Sequence, residues 1–217
     1  MHASTHILEH KAAKIMTFAA ALGPLVWLGM QFPDGLGANP IESLNRFTGD
    51  WTLRFLIITL AVSPLARLKG LSDIVRMRRM LGLFSFFYAT LHLSSYVGLD
   101  QFFNGKAIFN DIIKRNFITI GIVTFLLLLP LAITSTGMMI RRFGARRWKH
   151  LHRAVYVAAG LGVAHYWMIT KADFHEPAIY GAIVAALLIA RLMEKRARRA
   201  IKARLNTLNP DSISPTL

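Results

Sequence analysis

The sequence specifies an all-α membrane protein, a six-helix transmembrane bundle with both termini in the cytoplasm. Three observations lead there. Apolar residues make up 54% of the 217 residues. Mean hydropathy is +0.42, more than a soluble domain of this size needs to fill its core. The Lys and Arg residues alternate from loop to loop rather than spreading evenly.

Hydrophobic stretches run from Ile15 to Phe32, Trp51 to Leu65, Met80 to Gly98, Phe117 to Ile133, Leu151 to Thr170 and Ala178 to Met193. Each approaches the ~20 residues with which a helix crosses a bilayer core of about 30 Å. The second and sixth are the shortest, and the second carries Arg54 near its start. The first has Lys11 and Lys14 before it and small residues at Ala19 to Ala21, as a cleaved leader would. Its apolar run continues through Trp27 and Met30, so it reads as a retained span.

Eighteen basic residues fall before span one, between spans two and three, between four and five, and after six: Lys11 and Lys14; Arg67, Lys69, Arg76, Arg78 and Arg79; Arg141, Arg142, Arg146, Arg147 and Lys149; Lys195, Arg196, Arg198, Arg199, Lys202 and Arg204. Six fall on the other side: Arg46, Arg54, Lys106, Lys114, Arg115 and Lys171. That asymmetry places both termini in the cytoplasm of a cell with an inner membrane, and only an even number of spans preserves it. The net charge of +15 is accounted for by topology and lipid headgroups, so nucleic acid is excluded as a partner. The organisation follows: a cytoplasmic segment over 1–14, one transmembrane domain over 15–193, and a basic, loose tail over 194–217 ending in Asn209, Pro210, Asp211, Ser212 and Pro215.

No cysteine is present, which excludes disulfides, iron–sulfur clusters, thiolate ligation and covalent haem attachment. Eight histidines occur. His2, His6, His10 and His175 flank spans and read as solvated; His150 reads as interfacial. His92, His152 and His165 lie within or at the edge of apolar helices, where an imidazole is costly and function is the first hypothesis. The alternative, an interhelical hydrogen bond, suits one histidine better than three. Spans three and five run in the same direction. His92 lies 12 residues beyond Met80 and His165 lies 14 beyond Leu151, so both sit roughly 18 to 21 Å from the cytoplasmic edge. Two neutral imidazoles at one level offer one nitrogen to each face of a b-type haem. His152, 13 residues before His165, is expected about 19.5 Å lower. It is a candidate ligand for a second haem or part of a quinone or flavin site. Arg78 and Arg79 occupy the matching level on span three and suit propionates or a phosphate, while Met77 and Met80 are candidate thioether partners. Gly160 and Gly162 stand between the two span-five histidines. A proton or metal-ion transporter using the same histidines is the rival reading, disfavoured because the spans as drawn carry no Asp or Glu.

Motifs along the chain then carry a resemblance: GLGANP at Gly35 to Pro40, FTG at Phe47 to Gly49, SPLARL at Ser63 to Leu68, RRMLGL at Arg78 to Leu83, ATLHLSSY at Ala89 to Tyr96, LAITST at Leu131 to Thr136, RRWKHLH at Arg146 to His152 and HYW at His165 to Trp167. From Gly23 to Met193 the chain resembles the MsrQ (YedZ) family, within the wider ferric-reductase-like transmembrane group. The resemblance implies haem b, one group or two, held by His92, His165 and His152. In the wider group two helices each supply two histidines, and this chain departs from that at Arg78 and Arg79. The resemblance further implies an electron-transfer subunit without substrate chemistry of its own. It takes electrons from quinone or a cytosolic flavin reductase and passes them to MsrP, a periplasmic molybdopterin enzyme that repairs oxidised methionine. FMN is associated with the family, but no Gly-rich phosphate loop marks a site for it here.

Overall fold

A computed structural model describes residues 2–31, 34–68, 72–170 and 174–208. Lys69, Lys171 and the tail from Asn209 to Pro215 lie outside the described residues, as do the side chains of His2, His6 and His10. Among the described residues every regular element is helical: α1 (His2–Gln31), α2 (Pro40–Leu68), α3 (Arg78–Ser95), α4 (Gly105–Lys114), α5 (Asn116–Ile133), α6 (Gly137–Phe143), α7 (Ala145–Leu151), α8 (Ala154–Ile169) and α9 (His175–Leu208), with short 3₁₀ turns at Asp34–Leu36 and Ser72–Met77 and a π turn at Tyr96–Asp100.

Among the described residues five helical segments are long and apolar enough to cross a membrane: Lys11–Gln31, Pro40–Arg67, Ile74–Asp100, Asn116–Ile133 and His175–Ile201. The expected fifth span from Leu151 is interrupted. The chain turns at His152 and Arg153, where the N–H of Arg153 donates to the carbonyl of His150, and α8 begins only at Ala154. Its 16 residues rise about 24 Å, short of the hydrocarbon thickness. The second span differs in the other direction. Helix α2 starts at Pro40, well before the apolar run, with Glu42 in its first turn and Asp50 one turn before Arg54. The spans therefore do carry acidic residues, because a helix already satisfied by its own backbone bonds extends past its apolar stretch wherever neighbours accept its polar side chains.

Two helix pairs, α2 with α3 and α5 with α8, make the most extensive contacts, and α9 packs on α8 and α2. One apolar core joins both pairs, through Leu53, Leu56 and Leu60 of α2, Ala89 of α3, Leu128 of α5 and Ala158 of α8. Ala158 and Ala159 are fully buried; small side chains let helices approach closely where lipid supplies no hydrophobic drive for association. A second core joins α1 to the first pair, with Ala21, Phe55, Val62, Met77, Phe84 and Tyr88. Its rings stack in series, Phe55 against Tyr88 at 5.3 Å and against Phe84 at 5.8 Å. Tyr88 is fully buried, and its hydroxyl donates to the carbonyl of Ala21 at 3.0 Å, in the turn of α1 that contains Pro24.

Helix α9 has 34 residues, about 51 Å, and its basic C-terminal part extends beyond the apolar window. It is tied to α2 there by an ion pair between Arg67 and Glu194, which also accepts from Arg198 at 2.8 Å. The Tyr88 anchor makes a testable claim. Tyr88→Phe, which removes one buried hydrogen bond, is expected to cost about 1 kcal/mol. Tyr88→Ala, which also empties the ring site, is expected to cost about 3–5 kcal/mol. Both are read from unfolding titrations of the protein in mixed micelles.

Candidate functional site

Two helix pairs present two histidines to one cavity by the same local device. In the first pair, His92 of α3 turns its ring toward α2, and Nδ1–H donates to the carbonyl of Asn45 at 2.9 Å. In the second, His165 of α8 turns toward α5, and Nδ1–H donates to the carbonyl of Phe117 at 2.7 Å. A carbonyl only accepts, so each bond fixes the proton on Nδ1 and leaves the lone pair on Nε2. In an α-helix the N–H of residue i+4 bonds the carbonyl of residue i, and in both cases that residue is glycine: Gly49 after Asn45, Gly121 after Phe117. A Cβ on Gly49 would stand 3.1 Å from Cε1 of His92, and one on Gly121 only 2.7 Å from Cε1 of His165. The imidazole occupies the space that any side chain would fill, which is how it reaches a carbonyl already used by its own helix.

The two rings face each other with centroids 6.1 Å apart and planes at 81°. Two metal–imidazole bonds of about 2.0 Å plus the two ring radii come to about 6 Å, so His92 and His165 have a spacing at which both would hold one metal ion. Both rings line a cavity of about 610 Å³, within the roughly 300–1,000 Å³ typical of cofactor sites. Its apolar wall includes Leu53, Leu56, Phe125 and Leu128; Arg46, Asp50 and Arg115 stand at its polar part. Arg46 pairs with Glu42 at 2.8 Å and Arg115 with Asp111 at 3.2 Å. The edge of the cavity includes Phe102, which with Phe103 adopts left-handed backbone (φ 47° and 58°) held by a bond from the Phe103 N–H to the carbonyl of Val97 at 2.8 Å. The chemistry of the donor set and its spacing fit a bis-imidazole metal group.

His152 is placed differently. It caps α7 in the turn before α8, outside the helix that carries His165, so counting along one ideal helix between them fails. Its ring stacks on Trp148 at 3.9 Å. The Thr134 hydroxyl donates to the carbonyl of Pro130 at 2.6 Å and therefore accepts from Nε2–H of His152 at 3.1 Å. Trp148 Nε1–H closes the cluster by donating to the carbonyl of Thr134 at 2.9 Å. Met77, offered above as a partner, is buried in the α1–α2–α3 core, and Met80 packs against that core. Arg78 donates from Nη1 to the Ser63 hydroxyl at 3.2 Å and lies close enough to act electrostatically on His152; Arg79 is exposed. Gly160 has open space beyond its Cα, and Gly162 lies in ordinary contact with Leu53. The glycines that matter to the histidines are Gly49 and Gly121, on the partner helices. Their signal in the sequence is a glycine four residues after the accepting carbonyl, readable only once the helix pairing is known.

The comparisons with known proteins bear on the same residues. Residues 48–163, which include His92 and His152, match the family described as ferric reductase like transmembrane component. A protein of Rhodospirillum rubrum is 52% identical over 190 residues, covering 87% of this chain and 91% of its own length. Proteins of Herminiimonas arsenicoxydans (51%, 85% of this chain and 88% of theirs) and Caulobacter vibrioides (47%, 83% and 87%) are similarly close. The chain belongs to the MsrQ family. All three relatives carry the name protein-methionine-sulfoxide reductase heme-binding subunit MsrQ.

Gly121→Ala is expected to displace the His165 ring and break its bond to Phe117, costing about 1–3 kcal/mol as an overpacked site. Gly23→Ala, where nothing lies within 4 Å of the added Cβ, is expected to be neutral or to stabilise by up to about 1 kcal/mol. Parallel unfolding titrations of the two variants provide the check.

Proposed function

We propose that this chain is the haem b subunit of a two-protein methionine sulfoxide reductase system. It carries electrons across the bacterial inner membrane from quinone or a cytosolic flavin reductase to a periplasmic MsrP-like molybdopterin reductase. The observation that carries the reading is the opposed pair His92 and His165, 6.1 Å apart with both Nε2 lone pairs left free by carbonyl bonds. A haem held between them supplies a one-electron carrier. The chain's own residues do the rest. The Nδ1–H bonds hold both rings in one tautomer and raise their basicity as ligands. The apolar wall excludes water. The relatives' shared description as a heme-binding subunit supports the same assignment.

The arrangement fits a domain over 15–193 of six spans, with α7 and the turn at His152 completing the crossing that α8 alone is too short to make. Residues 1–14 and 194–217 are then both cytoplasmic. The basic residues support this orientation, since Arg141, Arg142, Arg146 and Arg147 lie on α6 and α7 while the His92/His165 cavity is lined by Leu99, Asp100 and Phe102 just before α4 and Arg115 just after it. On this reading His152, Thr134, Trp148 and Arg78 form the electron-entry end. With its one proton on Nε2 and given to Thr134, His152 keeps a lone pair on Nδ1, which can accept from a quinol hydroxyl or a flavin N–H, and the Trp148 ring covers one of its faces; both favour that role over ligation of a second haem. Arg78 and Arg79 are the cations for a flavin phosphate or a propionate. An ion-transport reading gains Asp50 as an intramembrane acid, but nothing in ion transport requires the matched imidazole geometry.

Three measurements test the proposal. The purified protein is expected to show a Soret band with sharp reduced α and β bands, and His92→Ala or His165→Ala to lose the low-spin spectrum; an unchanged spectrum in either variant overturns the assignment. His152→Ala is expected to keep its haem content while reduction by the donor slows at least ~10-fold, as when a positioning hydrogen bond is removed; loss of one haem equivalent would make His152 a ligand instead. Reporter fusions at the C-terminus and in the loop from Leu99 to Arg115 are expected on opposite sides of the membrane, cytoplasmic and periplasmic.

A further inference from the structure

A carboxylate that the haem assignment does not use faces the same cavity. Asp50 follows Gly49 on α2, is half-buried and lines the cavity wall. Its own helix offers Arg46 one turn before and Arg54 one turn after, and both are engaged elsewhere. Arg46 binds Glu42 at 2.8 Å. Arg54 Nε donates to the Tyr180 hydroxyl at 2.8 Å, and its guanidinium lies 5.0 Å over the Trp51 ring. From α9, Glu176 acts on Asp50 electrostatically, and Tyr180 holds Arg54. From α8, Tyr166 donates to Glu176 at 2.5 Å, and its neighbour His165 lines the cavity, as do His92 of α3 and Arg115 of α5, the latter paired with Asp111. Among the described residues no hydrogen bond or ion pair closes directly on the Asp50 carboxylate, although both cationic neighbours act on it at longer range.

Keeping an acid inside a membrane helix without a direct partner is costly and marks a functional group. The chemistry of the cavity supplies a reason. An electron added there places a unit negative charge in a low-dielectric space, where it interacts strongly with any charge nearby. Protonating a carboxylate in the same wall removes one negative charge and keeps the total constant. Glu176 is exposed at the start of α9 and hydrogen-bonded to Tyr166, which also lines the cavity, so solvent and the cavity wall meet at that point.

We propose that Asp50 is a proton-binding site coupled to the arrival of an electron in the His92/His165 cavity. One electron enters from the reductant, and one proton passes from the outer solvent, by the edge marked by Glu176, onto the Asp50 carboxylate. When the electron leaves for the acceptor the O–H bond breaks and the proton returns. The inference rests on the haem reading above and deepens it, since it makes electron delivery at the outer face sensitive to the proton concentration there.

The test is spectroelectrochemical titration of the full-length, haem-loaded protein in nanodiscs, repeated across pH. Because the reduced state binds the extra proton, the wild-type midpoint potential is expected to fall as pH rises, and Asp50→Asn is expected to flatten that dependence with the low-spin spectrum intact. A pH-independent wild-type midpoint, or an unchanged slope in Asp50→Asn, overturns the proposal. Should Asp50→Asn fail to assemble, infrared difference spectra of the wild type decide it. A carboxylic C=O band is expected to appear on reduction and to shift with carbon-13-labelled aspartate, and its absence overturns the proposal. A preparation without any Soret band would instead bring down the haem reading itself.

Discussion

The structure depends on a bond that a helix carbonyl makes twice. Within a membrane helix a carbonyl away from the last turn and from any proline is already bonded by its own helix, and a side chain that needs such an acceptor must share it. His92 and His165 each share the carbonyl of a residue whose helical partner, four positions on, is glycine. The missing side chain admits the ring, the carbonyl fixes the proton on Nδ1, and Nε2 keeps a free lone pair on a ring that lines the cavity. Because the bond crosses between helices, it also sets how closely α3 approaches α2 and α8 approaches α5. Helix pairing and ligand orientation are therefore one constraint.

That constraint explains why the two helix pairs resemble each other despite unlike sequences. Asn45, Gly49 and His92 in one pair correspond in role to Phe117, Gly121 and His165 in the other. The shared core of Leu53, Leu56, Ala89, Leu128 and Ala158 clamps the pairs together, and all but Ala158 also line the cavity. Leucine and alanine serve there because association in lipid depends on fit rather than on expulsion of water. The stacked contact between Phe86 and Phe125, with centroids 5.4 Å apart, ties α3 to α5 on the same principle.

The polar groups divide by end. Around His92 and His165 stand Arg46, Asp50, Arg54, Arg115 and Glu176, a mixed set in which most cations already have partners. Around His152 stand Arg78 and a run of arginines on α6 and α7, with few acids among them. One end thus carries both signs of charge beside the cavity, and the other is strongly basic. The turn at His152 separates the two environments. It stops the helix, which shortens α8 and moves His152 from the interior to a position bonded to Thr134.

The sequence by itself determined the class of fold, the membrane setting and the two histidines to consider together. Those properties are local: apolar run length, loop charge, and a depth computed from residue counts along parallel spans. It did not reveal that α2 begins before its apolar stretch and brings Asp50 into the cavity wall, because polar residues end an apolar run without ending a helix. Nor did it single out Gly49 and Gly121, which became significant only when α3 and α8 were laid against them. His152 followed the same rule: a count of 13 residues assumed an unbroken helix, and the turn before α8 changed both its direction and its partner. Depth along a helix is written in the chain, whereas which carbonyl a ring meets depends on the neighbouring helix, and only tertiary packing supplies that neighbour.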